Sequence, residues 1–390
     1  MINKIKSLVK EIVGEVIEIR RGIHENPELS FEEYETASMI HALLDSWNIE
    51  HEFVTETGIV AIIKGKNPGK RTVALRADID ALPIQEKNEC SYKSDVDGVM
   101  HACGHDAHAA MLLGAAKILA QLKDEFEGTI KLIFQPGEEK LPGGASVMIE
   151  KDVLKDVDLI IAQHVYPDLP CGEVGFHAGE YMASCDEINI AVKGKGGHAA
   201  KIKERSNTTV AAAKLLCAIS ELSSEFNNEE RKNPIIIAFG SFIADGTYNV
   251  IPNEVTLKGT MRTFDETERQ HIKDKIKEIS AEMAATFNVE VDVFIDGGYP
   301  VLINDVSLAE SLQMTAKKFM GEDNVKAIPQ LMTAEDFAWY SHKVKACMYR
   351  IGTSNAEKGI VSKQHTPTFD IDEDALEIGM GLMAWLAMRN

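Results

Sequence analysis

The sequence predicts an α/β protein in two parts, a sheet flanked by helices and an inserted ferredoxin-like unit. Three observations carry this. The chain has 390 residues, more than one core usually serves, so two domains are expected. Up to about residue 183, helical and strand-like periods alternate, the pattern of a sheet covered by helices. From about residue 184 to 297 the order becomes β-α-β-β-α-β, which matches the ferredoxin-like unit. The helix and strand mixture then resumes to residue 390. Residues 1–183 and 298–390 are therefore read as one catalytic domain, and 184–297 as an inserted lid or dimerisation domain.

In chain order, apolar residues at helical spacing predict a helix over about 3–22. A second is expected over 33–47, ended by Asn48. Strand-like runs follow at 59–63 and 72–76, then a helix over 106–121. Another strand, 129–134, precedes a helix near 144–150 and the apolar run 159–164. In the inserted part, 187–192 alternates as a half-buried strand. A helix over 208–225, strands at 235–244 and 254–263, a helix over 266–287 and a strand at 289–294 complete that unit.

The formal net charge is −20, with hydrophobic residues at 45% and charged residues at 26%. This is a globular balance, and so acidic a surface repels phosphate backbones, so no nucleic-acid partner is expected. No apolar run reaches bilayer length, and the amphipathic N-terminus lacks the uninterrupted apolar core of a signal peptide. A cytoplasmic protein with no membrane partner is expected. The six cysteines have no CxxC spacing and read as reduced thiols.

The densest chemistry lies in Met100-His101-Ala102-Cys103-Gly104-His105-Asp106-Ala107-His108. Cys103 and His105 are two apart in a glycine-containing loop and can point the same way, and thiolate and imidazole both suit divalent transition metals. The other reading is a buried cysteine beside helix-capping residues, with Asp106 as N-cap. Taken alone the motif leaves the two readings equal. Glu138 and Glu139 follow an apolar strand in Gln135-Pro136-Gly137. If one carboxylate binds metal, the other stays available to take a proton from water. The competing reading is a solvated acidic turn. His164 closes the run 159–164, and His365 lies in a C-terminal loop. A lone histidine is more often structural, but several candidates at strand ends argue for convergence. Asp78 and Asp80, in Arg76-Ala77-Asp78-Ile79-Asp80-Ala81-Leu82-Pro83, could orient a ligand histidine. For Asp80, turn chemistry before Pro83 is the preferred reading.

With these motifs in order, the chain resembles the amidohydrolases that include aminoacylases, hippurate hydrolases and plant indole-acetyl-amino-acid hydrolases. Within that metallopeptidase clan it is similar to the branch with a cysteine in the metal site. The matching stretches are 20–29, 76–83, 100–108, 135–139 with 143–145, and 196–199. Stretches 249–252, 261–264 and 335–337 and the pair Gln364-His365 complete the set, so the resemblance spans the chain.

The resemblance implies a mixed-sheet catalytic domain in which Cys103, His105, Glu139, His164 and His365 hold two divalent metals, Zn, Mn, Co or Ni. It implies Glu138 as general base and Asp78 as an orienting carboxylate. His198 would hydrogen-bond the developing oxyanion from the lid, and Asn249 and Arg262 would bind the substrate carboxylate. Where clan relatives carry a metal-binding histidine this chain has Arg76, in keeping with the cysteine branch. Met332-Thr333-Ala334 replaces the Gly-Ser that relatives carry before Glu-Asp-Phe, which alters the expected substrate pocket. The expected activity is hydrolysis of the amide bond of a small N-acyl amino acid, by a homodimer paired through the inserted domain.

Two rivals have different sequence signatures. A thiol hydrolase using Cys103 would leave Glu138, Glu139 and the distant histidines without work. A non-catalytic metal- or amino-acid-binding protein would not need a spare base at Glu138. A zinc deaminase lacks its PCxxC motif here.

Overall fold

Ile5, Val9, Ile12, Val16, Ile19 and Ile23 recur at steps of four and three residues, which places them on one helical face. They are all buried along helix α1, Ile2–Glu25. The computed structural model describes residues 1–204, 206–227 and 234–390. These form two units, one of Met1–Gly179, Ile303–Pro329 and Asp336–Asn390, the other of Glu180–Leu302 and Gln330–Glu335.

After α1 come α2 (Tyr34–Ser46), β1 (Glu50–Phe53), β2 (Ile59–Lys64), β3 (Thr72–Asp78), α3 (His105–Gln121) and β4 (Thr129–Gln135). Next are α4 (Gly144–Ile149), β5 (Leu159–Pro170), β6 (Val174–Phe176), β7 (Gly179–Met182), β8 (Asp186–Lys193) and β9 (Gly197–His198). The chain continues through α5 (Thr208–Phe226), β10 (Ile236–Ile243), β11 (Val250–Ile251), β12 (Glu254–Arg262), α6 (Glu266–Phe287) and β13 (Glu290–Asp296). It ends with β14 (Leu302–Asn304), α7 (Val306–Met320), β15 (Val325–Ala327), α8 (Ala338–Ser341), β16 (Lys345–Ser354) and α9 (Asp374–Arg389).

The first unit is built on an eight-stranded sheet in the order β1-β2-β4-β3-β5-β16-β6-β15. It is mixed: β4, β3, β5 and β16 run parallel, β2 pairs antiparallel with β4, and β6 antiparallel with β16. Central parallel strands are covered on both faces and read as continuous apolar runs. In β3, Val73 through Asp78 are all buried. Helix α3 is buried almost all round, packed between α1 and α9, which explains its weak amphipathicity.

The site residues follow from strand direction. Strands β3 and β4 both end at one rim of the sheet, with Asp78 paired in register to Gln135. Open α/β sheets carry ligands at such carboxyl ends. His164 departs from expectation, because β5 does not end there but runs on to Pro170. Its pairing with β3 stops at Ala162, while β16 follows it through His164. The histidine therefore sits where β5 loses one neighbour and its flank opens. Asp106 also differs from expectation. The N-cap position of α3 is Gly104, without a side-chain cap, and Asp106 turns instead to Arg20 and His24.

The second unit contains an antiparallel sheet in the order β10-β12-β8-β13. With its two helices this is the expected β-α-β-β-α-β arrangement. Ile188, Ile190 and Val192 of β8 alternate into a core with Leu215 and Ile219 of α5 and Ile272 and Ile276 of α6. Among the described residues no helix is long and apolar enough to cross a membrane. All six cysteines are free thiols.

Candidate metal centre

Gly104 gives the Cys103–His105 loop its shape. It adopts φ +88°, and a Cβ there would lie 2.6 Å from Val165. Glycine reaches the left-handed region without the cost other residues incur. Its neighbours are thereby placed inward, Cys103 at 7% exposure and His105 fully buried.

Asp80 orients His105. Its Oδ1 accepts from His105 Nδ1 at 3.0 Å. Its Oδ2 accepts from Ser30 Oγ at 2.6 Å and from the Glu139 amide at 3.0 Å. One buried carboxylate thus sets the tautomer of His105 and the position of Glu139, the role an outer ligand partner plays in metal sites. This corrects the turn-chemistry reading of Asp80. Asp78 serves other partners: Oδ1 takes His108 Nδ1, and Oδ2 takes Arg76 and lies 3.7 Å from His105 Nε2.

Glu138 and Glu139 ride a turn shaped by Gly137, at φ +60°, whose amide donates to Glu33 Oε1 at 2.8 Å. Glu138 is buried, and its Oε1 accepts from the Asp336 amide at 3.3 Å. His164 Nδ1 donates to the Val165 carbonyl at 2.9 Å. Its Nε2 therefore carries the lone pair, 3.8 Å from Cys103 Sγ. His365, at φ +59°, has its amide fixed to the Ala102 carbonyl, and its Nε2 lies 3.1 Å from Glu139 Oε1. A non-glycine residue in the left-handed region costs on the order of 1 kcal/mol and concentrates at functional sites.

Potential ligand atoms of Cys103, Glu139 and His365 all lie within 4.8 Å of one another, as do those of His105, Glu138 and Glu139. With the Cys103–His164 contact, the structure brings all five sequence candidates and Glu138 together. His108 stands close by with Asp78, His105 and His164. Its lone pair is already used, because Nε2 accepts from the Val165 amide at 2.9 Å while Nδ1 faces Asp78. It is a support, not a metal donor.

The set fits divalent metal on an observation of its own. His105 Nε2 and Glu139 Oε1 are buried without a hydrogen-bond partner, a costly state for polar atoms unless something binds them. A 3.1 Å approach of His365 to Glu139 Oε1 is an ion-pair distance off the hydrogen-bonding direction. Thiol, imidazole and carboxylate donors together match zinc-like ions. Burial, then Arg350 and His108, hold His164 well below its ordinary pKa, as a neutral donor. The nearby Cys103 sulfur and Glu139 carboxylate lift His365 to about 10. Burial, then Glu139, push the Cys103 thiol up. That is the reverse of what a thiol nucleophile needs, and it disfavours the thiol-hydrolase rival.

Behind these candidate ligands, Arg76 is buried and has a structural role. It donates to Gln135, Asp78 and Asp336. Asp336 also accepts from Gln135 and the Ala145 amide, which ties the Glu138 turn to the C-terminal part of the unit. Ser30, Asp336 and Gln364, which donates to the Cys103 carbonyl, escaped singling out by residue type. The only sequence signals were Asp80 beside Asp78 and the motif pairings 335–337 and 364–365.

His198, Asn249 and Arg262 lie in the second unit. His198 is exposed on β9, paired with Val250, and accepts from the Ala200 amide at 3.2 Å. Asn249 is exposed, its carbonyl bound by the Ala199 amide. Arg262 donates to the Met332 carbonyl at 3.3 Å.

Comparisons with known proteins agree on the family. The model of peptidase family M20/M25/M40 matches residues 74–389. A thermostable carboxypeptidase 2 from Saccharolobus solfataricus is 36% identical, over 100% of this chain and 98% of its own length. An N-acetylcysteine deacetylase from Bacillus subtilis is 36% identical, over 96% of each chain. The crystal structure of the Bacillus subtilis YXEP protein, described as a dinuclear metal-binding peptidase of the M20 family, superposes with TM-score 0.82. It is 33% identical, over 97% of this chain and 98% of that one.

Proposed function

This chain belongs to peptidase family M20/M25/M40, and we propose that it hydrolyses the amide bond of small N-acyl amino acids or dipeptide-like compounds. The products are a carboxylic acid and a free amino acid. The observation that carries this reading is the buried, unsatisfied pair His105 Nε2 and Glu139 Oε1 beside the second carboxylate, Glu138. Relatives named for carboxypeptidase and deacetylase activity share the requirement to cleave an amide next to an amino acid.

Cys103, His105, Glu139, His164 and His365 are assigned to hold two divalent ions. When bound, such ions polarise the carbonyl and acidify a water. Glu138 accepts the water proton and returns it to the leaving nitrogen. Asp80 keeps His105 Nε2 bare by holding the proton on Nδ1. By resemblance, His198 stabilises the oxyanion, and Arg262 with Asn249 binds the substrate carboxylate. The inserted unit is assigned as lid and as the pairing surface of a homodimer. Free cysteines support a reducing, cytoplasmic setting.

Glu138→Gln tests the assignment. Turnover of an N-acetyl or N-benzoyl amino acid should fall by roughly 10²–10⁴-fold, with metal content unchanged. Near-parental turnover in that variant would remove Glu138 as the base.

A further inference from the structure

On the side of the first unit that carries β1, the first strand in the sheet order, three side chains meet that the proposed reaction does not use. His41 and Asp45 lie one turn apart near the end of α2, and His51 lies on β1. His51 Nδ1 is 2.8 Å from the Ile49 carbonyl and donates to it. Its Nε2 is therefore a lone pair, and it points at His41 Nδ1, 2.6 Å away. His41 Nε2 stands 3.5 Å from Asp45 Oδ2, and His51 Nε2 stands 3.9 Å from Asp45 Oδ1. One donor atom from each residue lies within 4.8 Å of the others.

The protonation count is awkward without a cation. With His51 Nε2 as acceptor, a neutral His41 must carry its proton on Nδ1. Its Nε2 lone pair then faces a carboxylate, acceptor against acceptor. A positive charge relieves this, either a second proton on His41 or a metal ion replacing the shared proton. We propose that His41, Asp45 and His51 form a peripheral site for a divalent transition metal such as zinc, separate from the paired-metal centre.

The chemistry meets the requirements of such a site. Two imidazoles and a carboxylate suit zinc and leave a fourth position for water. Tetrahedral zinc sets its donors about 3.3 Å apart. With His41 Nδ1, His51 Nε2 and Asp45 Oδ1 as donors, the 2.6 Å between the nitrogens and the 3.9 Å from Asp45 Oδ1 to His51 Nε2 bracket this value, and His41 Nε2 is left to carry a proton towards Asp45 Oδ2. The Ile49 carbonyl fixes the His51 ring, as outer partners of ligand histidines do. His51 is 4% exposed in its side chain and preordered, whereas His41 at 43% and Asp45 at 67% give an ion an entry path. The bound ion would clip the end of α2 to β1.

The test is Zn²⁺ uptake by the metal-free protein, measured against a chromophoric chelator. The parent should take up one equivalent more than His51→Ala. Asp45→Asn, an exposed change that leaves packing intact, should weaken that equivalent at least about 10-fold. Both variants should keep the parental turnover once the paired centre is filled. Glu139→Ala should lose ions from the paired centre yet retain the peripheral one, so the two assignments fail separately. Equal uptake by the parent and His51→Ala, or an Asp45→Asn affinity equal to the parent's, would overturn the proposal.

Discussion

Replacing Asp80 by asparagine probes how the metal centre is preorganised. The buried Asp80 carboxylate receives three donors, His105 Nδ1 at 3.0 Å on one oxygen, and Ser30 Oγ at 2.6 Å with the Glu139 amide at 3.0 Å on the other. Asparagine offers one oxygen and one amide nitrogen. If the oxygen keeps Ser30 and Glu139, the NH₂ group faces His105 Nδ1. The imidazole can then satisfy the contact only by accepting at Nδ1, which moves its proton to Nε2. Nε2 is the atom that must be bare to bind metal. Loss of such an outer partner costs 10–100-fold in metal affinity, about 1.4–2.7 kcal/mol. In the opposite amide orientation the Glu139 turn is released instead, and affinity falls by the same mechanism at another ligand. The assay is zinc competition against a chelator of known affinity, followed by turnover at saturating metal. An Asp80→Asn variant with parental zinc affinity would refute the argument that Asp80 sets the His105 tautomer.

Three further outcomes follow from the packing around this centre. Burial, then Asp80, push Glu33 up to about 7 from its ordinary 4.5. A raised folded-state value means stability present below about pH 4.5 is lost as pH rises through 7, roughly 3 kcal/mol at most. Glu33→Gln can offer its oxygen to the Phe31 and Gly137 amides and its NH₂ to Thr57 Oγ1. It should flatten that decline in urea titrations across pH 4–8, and a variant with the parental slope would exclude Glu33 as its source. Gly104→Ala places a Cβ 2.6 Å from Val165 at φ +88°. It should lower stability by about 2–4 kcal/mol and displace Cys103 from the centre, visible as reduced zinc uptake. An unchanged melting temperature would contradict this. Arg20→Met removes the cation beside the buried Asp106, leaving a carboxylate whose remaining partner is His24. A loss of about 3–5 kcal/mol in unfolding free energy, read from denaturant titration, is expected, and no loss would show that His24 alone balances Asp106.

Much of the fold was legible because its periodicities are local. The α1 stripe, the buried runs of β3 to β5 and the alternation in β8 each follow from the geometry of one element. Motif order across the chain pointed to the family, and the family match spans residues 74–389. Within the site, Cys103 with His105 and Glu138 with Glu139 could be read because each pair is adjacent or nearly so.

What separates Asp80 from Asp78 is not local. The two carboxylates are two residues apart in similar surroundings, yet one faces Ser30, His105 and Glu139 and the other faces Arg76 and His108. Likewise His108 and His105 sit one turn apart on α3, and only the Val165 amide, brought in by β5, occupies the first and leaves the second open. By itself the sequence determined most elements up to residue 294, the β-α-β-β-α-β succession of the inserted unit and the kinds of donor available. Tertiary structure alone decided which nitrogen carries a proton, which carboxylate holds a ligand and which is left unsatisfied. Hydrogen-bond direction depends on partners tens to hundreds of residues away, and no local period encodes them.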